Sequence, residues 1–128
     1  MKTVVLCFGN EFIKEDSRAK EIADEIKIKN VEFRKCDSLN DILLYSSHPH
    51  LFILDVVRNI QEVTLITDID TLNTNDMYSL HDFDLGFFLK LMKKLGTLKN
   101  ITIIGIPQKG DTHTIISRIK KIVTTQKV

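Results

Sequence analysis

No stretch of this sequence approaches the roughly 18 consecutive apolar residues that a membrane-spanning helix needs, so no membrane span is expected. Charge of one sign is also missing. Lys plus Arg number 18 and Asp plus Glu 17, a net +1, which gives no basic face for holding nucleic acid. The N-terminus, MKTVVLCFGN, has a short apolar run without a small-residue cleavage site. Glu11, Lys14, Glu15 and Asp16 follow at once, so a buried first strand is expected rather than a signal peptide. With only two cysteines there is no disulfide framework, and cytosolic residence is expected. Internal repeats, low-complexity tracts and linkers are absent.

What is present suits one globular domain over residues 1–128. The chain is 43% hydrophobic and 27% charged, an ordinary balance for a domain built around a single core. Thr3 to Phe8 is a continuous β-branched apolar run ended by Gly9-Asn10, which predicts a strand covered on both faces. From Asp16 to Ile28, Ala19, Ile22, Ala23 and Ile26 recur at helical spacing. Arg18, Lys20, Glu21, Asp24 and Glu25 fall on the other faces, so an amphipathic helix is predicted. Val31–Cys36 reads as the second strand, with Asp37-Ser38 as stop and cap for a helix over Leu39–Ser46. Leu51–Leu54 reads as a third buried strand ending at Asp55.

Glu62–Thr67 follows after too short a connection for a parallel crossover. It is expected to lie antiparallel to the third strand, at the sheet edge. Asp68 to Leu80 is polar and irregular, Phe83–Leu95 predicts a helix closed by Gly96, and Ile101–Ile106 a fifth strand. A last helix is predicted from Asp111 to about Thr125, burying Ile115, Ile116, Ile119, Ile122 and Val123. The expected fold is α/β, a three-layer sandwich with a five-stranded mixed, mostly parallel sheet flanked by helices. Its fourth strand is antiparallel and at the edge.

Open α/β sheets carry their working groups at the carboxyl ends of strands. Asp16 closes the segment after strand one, Asp55 ends strand three, and His81 closes the long polar loop. Two carboxylates and an imidazole from three segments could meet at one edge. Each has a structural alternative: Asp16 as a charge on the first turn of its helix, Asp55 as a strand-ending turn residue, His81 as a surface or helix-start residue. Other groups carry less. Gly9-Asn10 lacks the further glycines of a phosphate loop. Cys7 is expected buried, Cys36 structural, and His48, His50 and His113 solvated.

The ordered set of segments is more specific than any one of them. VVLCFGNEFIKED, LFILDVV, SLHDFDLGFFLKL and ITIIGIPQ together resemble the hydrogenase maturation endopeptidases over residues 3–108. That family has a strand running into Gly-Asn and an acidic pair, a strand ending in Asp, a Ser-x-His motif and a late Gly-Ile-x-Pro-like strand end. The resemblance implies removal of a C-terminal extension from the precursor large subunit of a [NiFe] hydrogenase, after nickel insertion. It implies metal-contacting roles for Asp16, Asp55 and His81 toward nickel carried by the precursor. No tightly held metal of the chain's own, no nucleic-acid partner and a monomeric state are expected. Three oxygen and imidazole ligands suit a borderline divalent ion and leave room for exchange.

Departures from the family fall beside the three positions rather than on them. Ser17-Arg18-Ala19-Lys20 replaces small residues after the acidic pair, and Cys36-Asp37-Ser38-Leu39 replaces an Asp-Gly-Gly-like turn. The family's Gln-Pro stands as Pro107-Gln108, and the chain is short beyond it. Two other readings stay open: a non-catalytic module binding a precursor through the same crevice, and an α/β domain binding a small anionic ligand.

Overall fold

A computed structural model describes residues 3–9, 17–36, 38, 40–45, 48, 51–57, 60–66, 92, 94 and 101–125. Its elements are β1 (Thr3–Cys7), α1 (Arg18–Glu25), β2 (Val31–Lys35), α2 (Asn40–Leu44), β3 (Leu51–Val56), β4 (Thr64–Ile66), β5 (Ile101–Ile106) and α3 (Thr112–Thr125). The expected loop Asp68–Leu80 and all but Met92 and Lys94 of the expected helix Phe83–Leu95 lie outside the described residues. Those two are helical.

The five strands form one sheet in the order β2-β1-β3-β5-β4. β1 pairs with β2 and β3, and β3 with β5, all in parallel, while β4 runs antiparallel to β5. The mixed, mostly parallel sheet with an antiparallel fourth strand at its edge is as the sequence predicts. The partner of β4 is a correction: it pairs with β5, not β3, because β5 sits between them. Residues 57–63, at up to ~3.3 Å each, reach easily across the ~10 Å of one intervening strand.

Strand periodicity sorts the core into two faces. Val4, Leu6, Phe8, Leu51, Ile53 and Ile103 pack on one face with Ile42 of α2, and Met92 rests against them. Val5, Cys7, Phe52, Leu54, Ile104 and Ile106 pack on the other, under Ala19, Ile22 and Ile26 from α1 and Ile115, Ile119 and Val123 from α3. Apolar side chains on both faces of the central strands are what a sheet with covered faces requires. Cys7 and Cys36, both buried and neither in a disulfide, belong to opposite faces.

α1 ends at Glu25, earlier than the expected Ile28. Ile26 is already extended (φ −86°, ψ 133°), and Asn30 takes a left-handed φ of 64°. The chain must reverse there to enter β2 beside β1, and the Asn30 carbonyl accepts from the Thr3 amide at 3.0 Å. Asparagine tolerates that conformation better than most residues. Ile26 remains buried. α2 is capped as expected, the Ser38 Oγ accepting from the Asn40 amide at 3.1 Å. Among the described residues no helix is long and apolar enough to cross a membrane.

Candidate functional site

The chain leaves β1 toward one side of the sheet, to β2, and leaves β3 toward the other, to β4 at the far edge and then back to β5. The carboxyl ends of β1 and β3 therefore flank the point where the strand order reverses, the crevice in which open α/β sheets bind their ligands. β1 is followed there by Phe8 and Gly9, whose φ of 141° favours glycine. The Phe8 amide donates to the Leu54 carbonyl at 3.0 Å, so the two strand ends stay joined up to the residue before Asp55.

Asp55 is wholly buried. Its Oδ1 accepts from the Val56 amide at 2.9 Å. The expected strand end at Asp55 is corrected by one residue: β3 runs to Val56, with Asp55 opposite Gly105 and Val56 opposite Ile106. Pairing continues because β5 offers ladder partners to its own last residue. Asp55 is thus held on a rigid strand rather than on a turn. By alternation it shares the face of Leu51 and Ile53, as Gly105 shares that of Ile103. A Cβ built on Gly105 would stand 2.8 Å from the Val57 Cγ2, so Val57 closes over the space beside Asp55.

Asp16 and His81 lie outside the described residues, as does His50. Of the three sequence-selected side chains, the structure therefore gives the position of Asp55. Among the described residues no group of three or more His, Cys, Asp or Glu side chains could hold a metal ion. His113 is exposed, as expected, on the first turn of α3. His48 is half-buried with its ring centroid 6.5 Å from that of Tyr45.

Two residues at the start of α1, marked in the sequence only as departures from the family's small residues, have roles that the sequence did not assign. Lys20, placed by periodicity on an outer face, is only 3% exposed. It borders the apolar stripe, one residue after Ala19 and three before Ala23, and four before Asp24. That i,i+4 acidic spacing was the available signal. Lys20 and Asp55 both bear on the buried Cys7 thiol. Burial pushes that thiol up, Cys36 and the charges of Asp24 and Asp55 add to the push, and Lys20 opposes it. Cys7 is therefore held neutral and is no nucleophile. The second residue, Arg18, directs its guanidinium away from α1 to the loop between β5 and α3.

That loop borders a pocket of about 110 Å³ at the same edge of the sheet. Glu62 and Val63, ahead of β4, form one side, Pro107, Gly110 and Asp111 another, and Arg118 of α3 closes it. The volume holds several waters or one side chain.

No family model and no curated protein sequence matches the chain. Solved structures do, and they share its fold over nearly its whole length. A [NiFe] hydrogenase maturation protease, HybD from Thermococcus kodakarensis, matches with a TM-score of 0.61 at 20% identity, covering 98% of this chain and 98% of that one. The endopeptidase HycI from Escherichia coli matches with a TM-score of 0.65 at 19% identity, covering 94% of this chain and 88% of its own. An uncharacterized protein from Wolinella succinogenes matches with a TM-score of 0.63 at 16% identity, over 99% of this chain and 100% of that one. The chain has the fold of the maturation proteases.

Proposed function

We propose that the chain is a maturation endopeptidase that removes the C-terminal extension of a [NiFe] hydrogenase large-subunit precursor. Its substrate is the precursor already loaded with nickel, and Asp16, Asp55 and His81 contact that ion. The observation that carries the reading is the placement of Asp55. It is a fully buried carboxylate at the reversal of strand order, in a fold shared end to end with solved maturation proteases. The ordered likeness of the sequence segments, with Asp16 and His81 each closing a segment that precedes a helix expected from the sequence, supports the same reading.

The chemistry is peptide hydrolysis. A water oxygen adds to the scissile carbonyl carbon, the C–N bond breaks, and the nitrogen leaves as an amine carrying a proton taken from that water. Nickel in the precursor positions the scissile peptide and polarises it or the water, and a carboxylate relays the proton. Holding Asp55 on a paired strand fixes one ligand before the substrate arrives, which lowers the cost of ordering the site. The ion comes and goes with the substrate, so the chain holds no nickel between turnovers. We place the protein in the cytoplasm, acting as a monomer.

A second reading, a module that binds the precursor through this crevice without cutting it, draws on the bulky Arg18 and Lys20 where small residues are usual. Both are tested together by incubating nickel-loaded precursor with wild-type protein and with Asp16→Ala, Asp55→Ala and His81→Ala, read by intact mass. The wild type is expected to release the C-terminal fragment. Each variant should lose at least about 100-fold in rate while keeping a cooperative thermal transition. Normal processing by all three variants would sink the proposal, and binding with no mass change would favour the second reading.

A further inference from the structure

Arg18 is the first residue of α1, yet its guanidinium is spent on a segment some ninety residues away. Nη1 donates to the carbonyl of Gln108 at 2.9 Å and more weakly to that of Pro107 at 3.4 Å. Nη2 donates to the carbonyl of Gly110 and to the Thr112 Oγ1, the latter at 3.3 Å. One planar fork thus spans the whole turn from the end of β5 to the first residue of α3, which only arginine among the side chains can do. Gly110 takes a φ of 118° and Lys109 and Gly110 are exposed, so this turn has little packing of its own to hold it. Pro107 and Gly110, two of the residues whose carbonyls are gripped, also line the 110 Å³ pocket.

We propose that Arg18 is a positioning residue that locks the β5–α3 turn to the start of α1 and keeps the pocket beside it shaped for the substrate polypeptide. The second half rests on the peptidase reading above. The pocket, the gripped turn and Asp55 all stand at the carboxyl edge of the sheet, and Arg18 is two residues beyond Asp16 in the chain. β5 lies next to β3 in the sheet, so the turn that leaves β5 is the next one along the carboxyl edge from Asp55. The hydrogen bonds of the guanidinium go to the turn, and it acts through the turn.

The test compares full-length wild type with Arg18→Lys and Arg18→Gln. Backbone hydrogen exchange over residues 108–112 is expected to quicken at least about tenfold in both variants, with little change over β1 and β3. Lysine keeps the charge but not the fork, so it should not rescue. With nickel-loaded precursor, KM should rise about tenfold while kcat stays within about threefold, the pattern of lost substrate binding rather than lost chemistry. Unchanged exchange in the turn, or full rescue by lysine, overturns the lock. Quickened exchange with an unchanged KM overturns its role toward substrate. A wild type that binds the precursor without cutting it removes the peptidase reading, and Kd then takes the place of KM. A wild type that does neither overturns the substrate half, while exchange still decides the lock.

Discussion

Gly105 stands opposite Asp55 in the ladder, and the absence of a side chain there is what lets Val57 close over the strand. A methyl group at 105 would meet the Val57 Cγ2 at 2.8 Å and the Thr64 carbonyl at 3.5 Å, and Val57 is itself buried and cannot swing clear. Gly105→Ala is expected to destabilise the fold by about 1–3 kcal/mol, as overpacking of a close-packed site does. Denaturant unfolding would measure it. Combining Gly105→Ala with Val57→Ala should cost less than the sum of the two single changes, because the second removes the atom the first collides with. Strict additivity would show that the clash is relieved by some other movement.

At the scale of elements, α3 begins on a side-chain cap. Asp111 accepts through Oδ2 from the Thr114 amide at 3.1 Å and from the Thr114 hydroxyl at 2.9 Å. These bonds, the hydroxyl one foremost, hold the Asp111 carboxyl below the usual carboxylate range. A carboxyl with a lowered folded pKa stabilises the fold above its unfolded value and loses that contribution as pH falls through the folded value. Asp111→Ala should therefore lower Tm at pH 7, and the gap from wild type should close as pH falls below about 4. A gap that persists unchanged at pH 2 would contradict the cap.

The same scale shows what could be read from the chain. β1, β5 and α3 were legible nearly to the residue, because continuous β-branched runs and an isoleucine stripe each have one structural solution. The partner of β4 was not, since a short connection fixes its antiparallel sense but not which strand it reaches. The end of α1 was set by the reversal into β2, a tertiary demand that helical periodicity cannot register. Within the site, Asp55 was legible as an acid terminating an apolar run. The work of Arg18 was not, because it depends on contacts about ninety residues away in the chain.

For the whole molecule, a sheet that reverses its strand order between β1 and β3 puts its crevice where Asp55 stands. Among the described residues, helices α1 and α3 cover one face and α2 packs on the other; in the proposed function the substrate takes the carboxyl edge. The central claim is that cutting at this edge waits for nickel in the precursor. The measurement that tests it most directly is intact mass of the nickel-loaded and the nickel-free precursor after incubation with the wild-type protein. The account predicts loss of the C-terminal fragment from the loaded precursor only. Equal cutting of both forms, or cutting of neither, would contradict it.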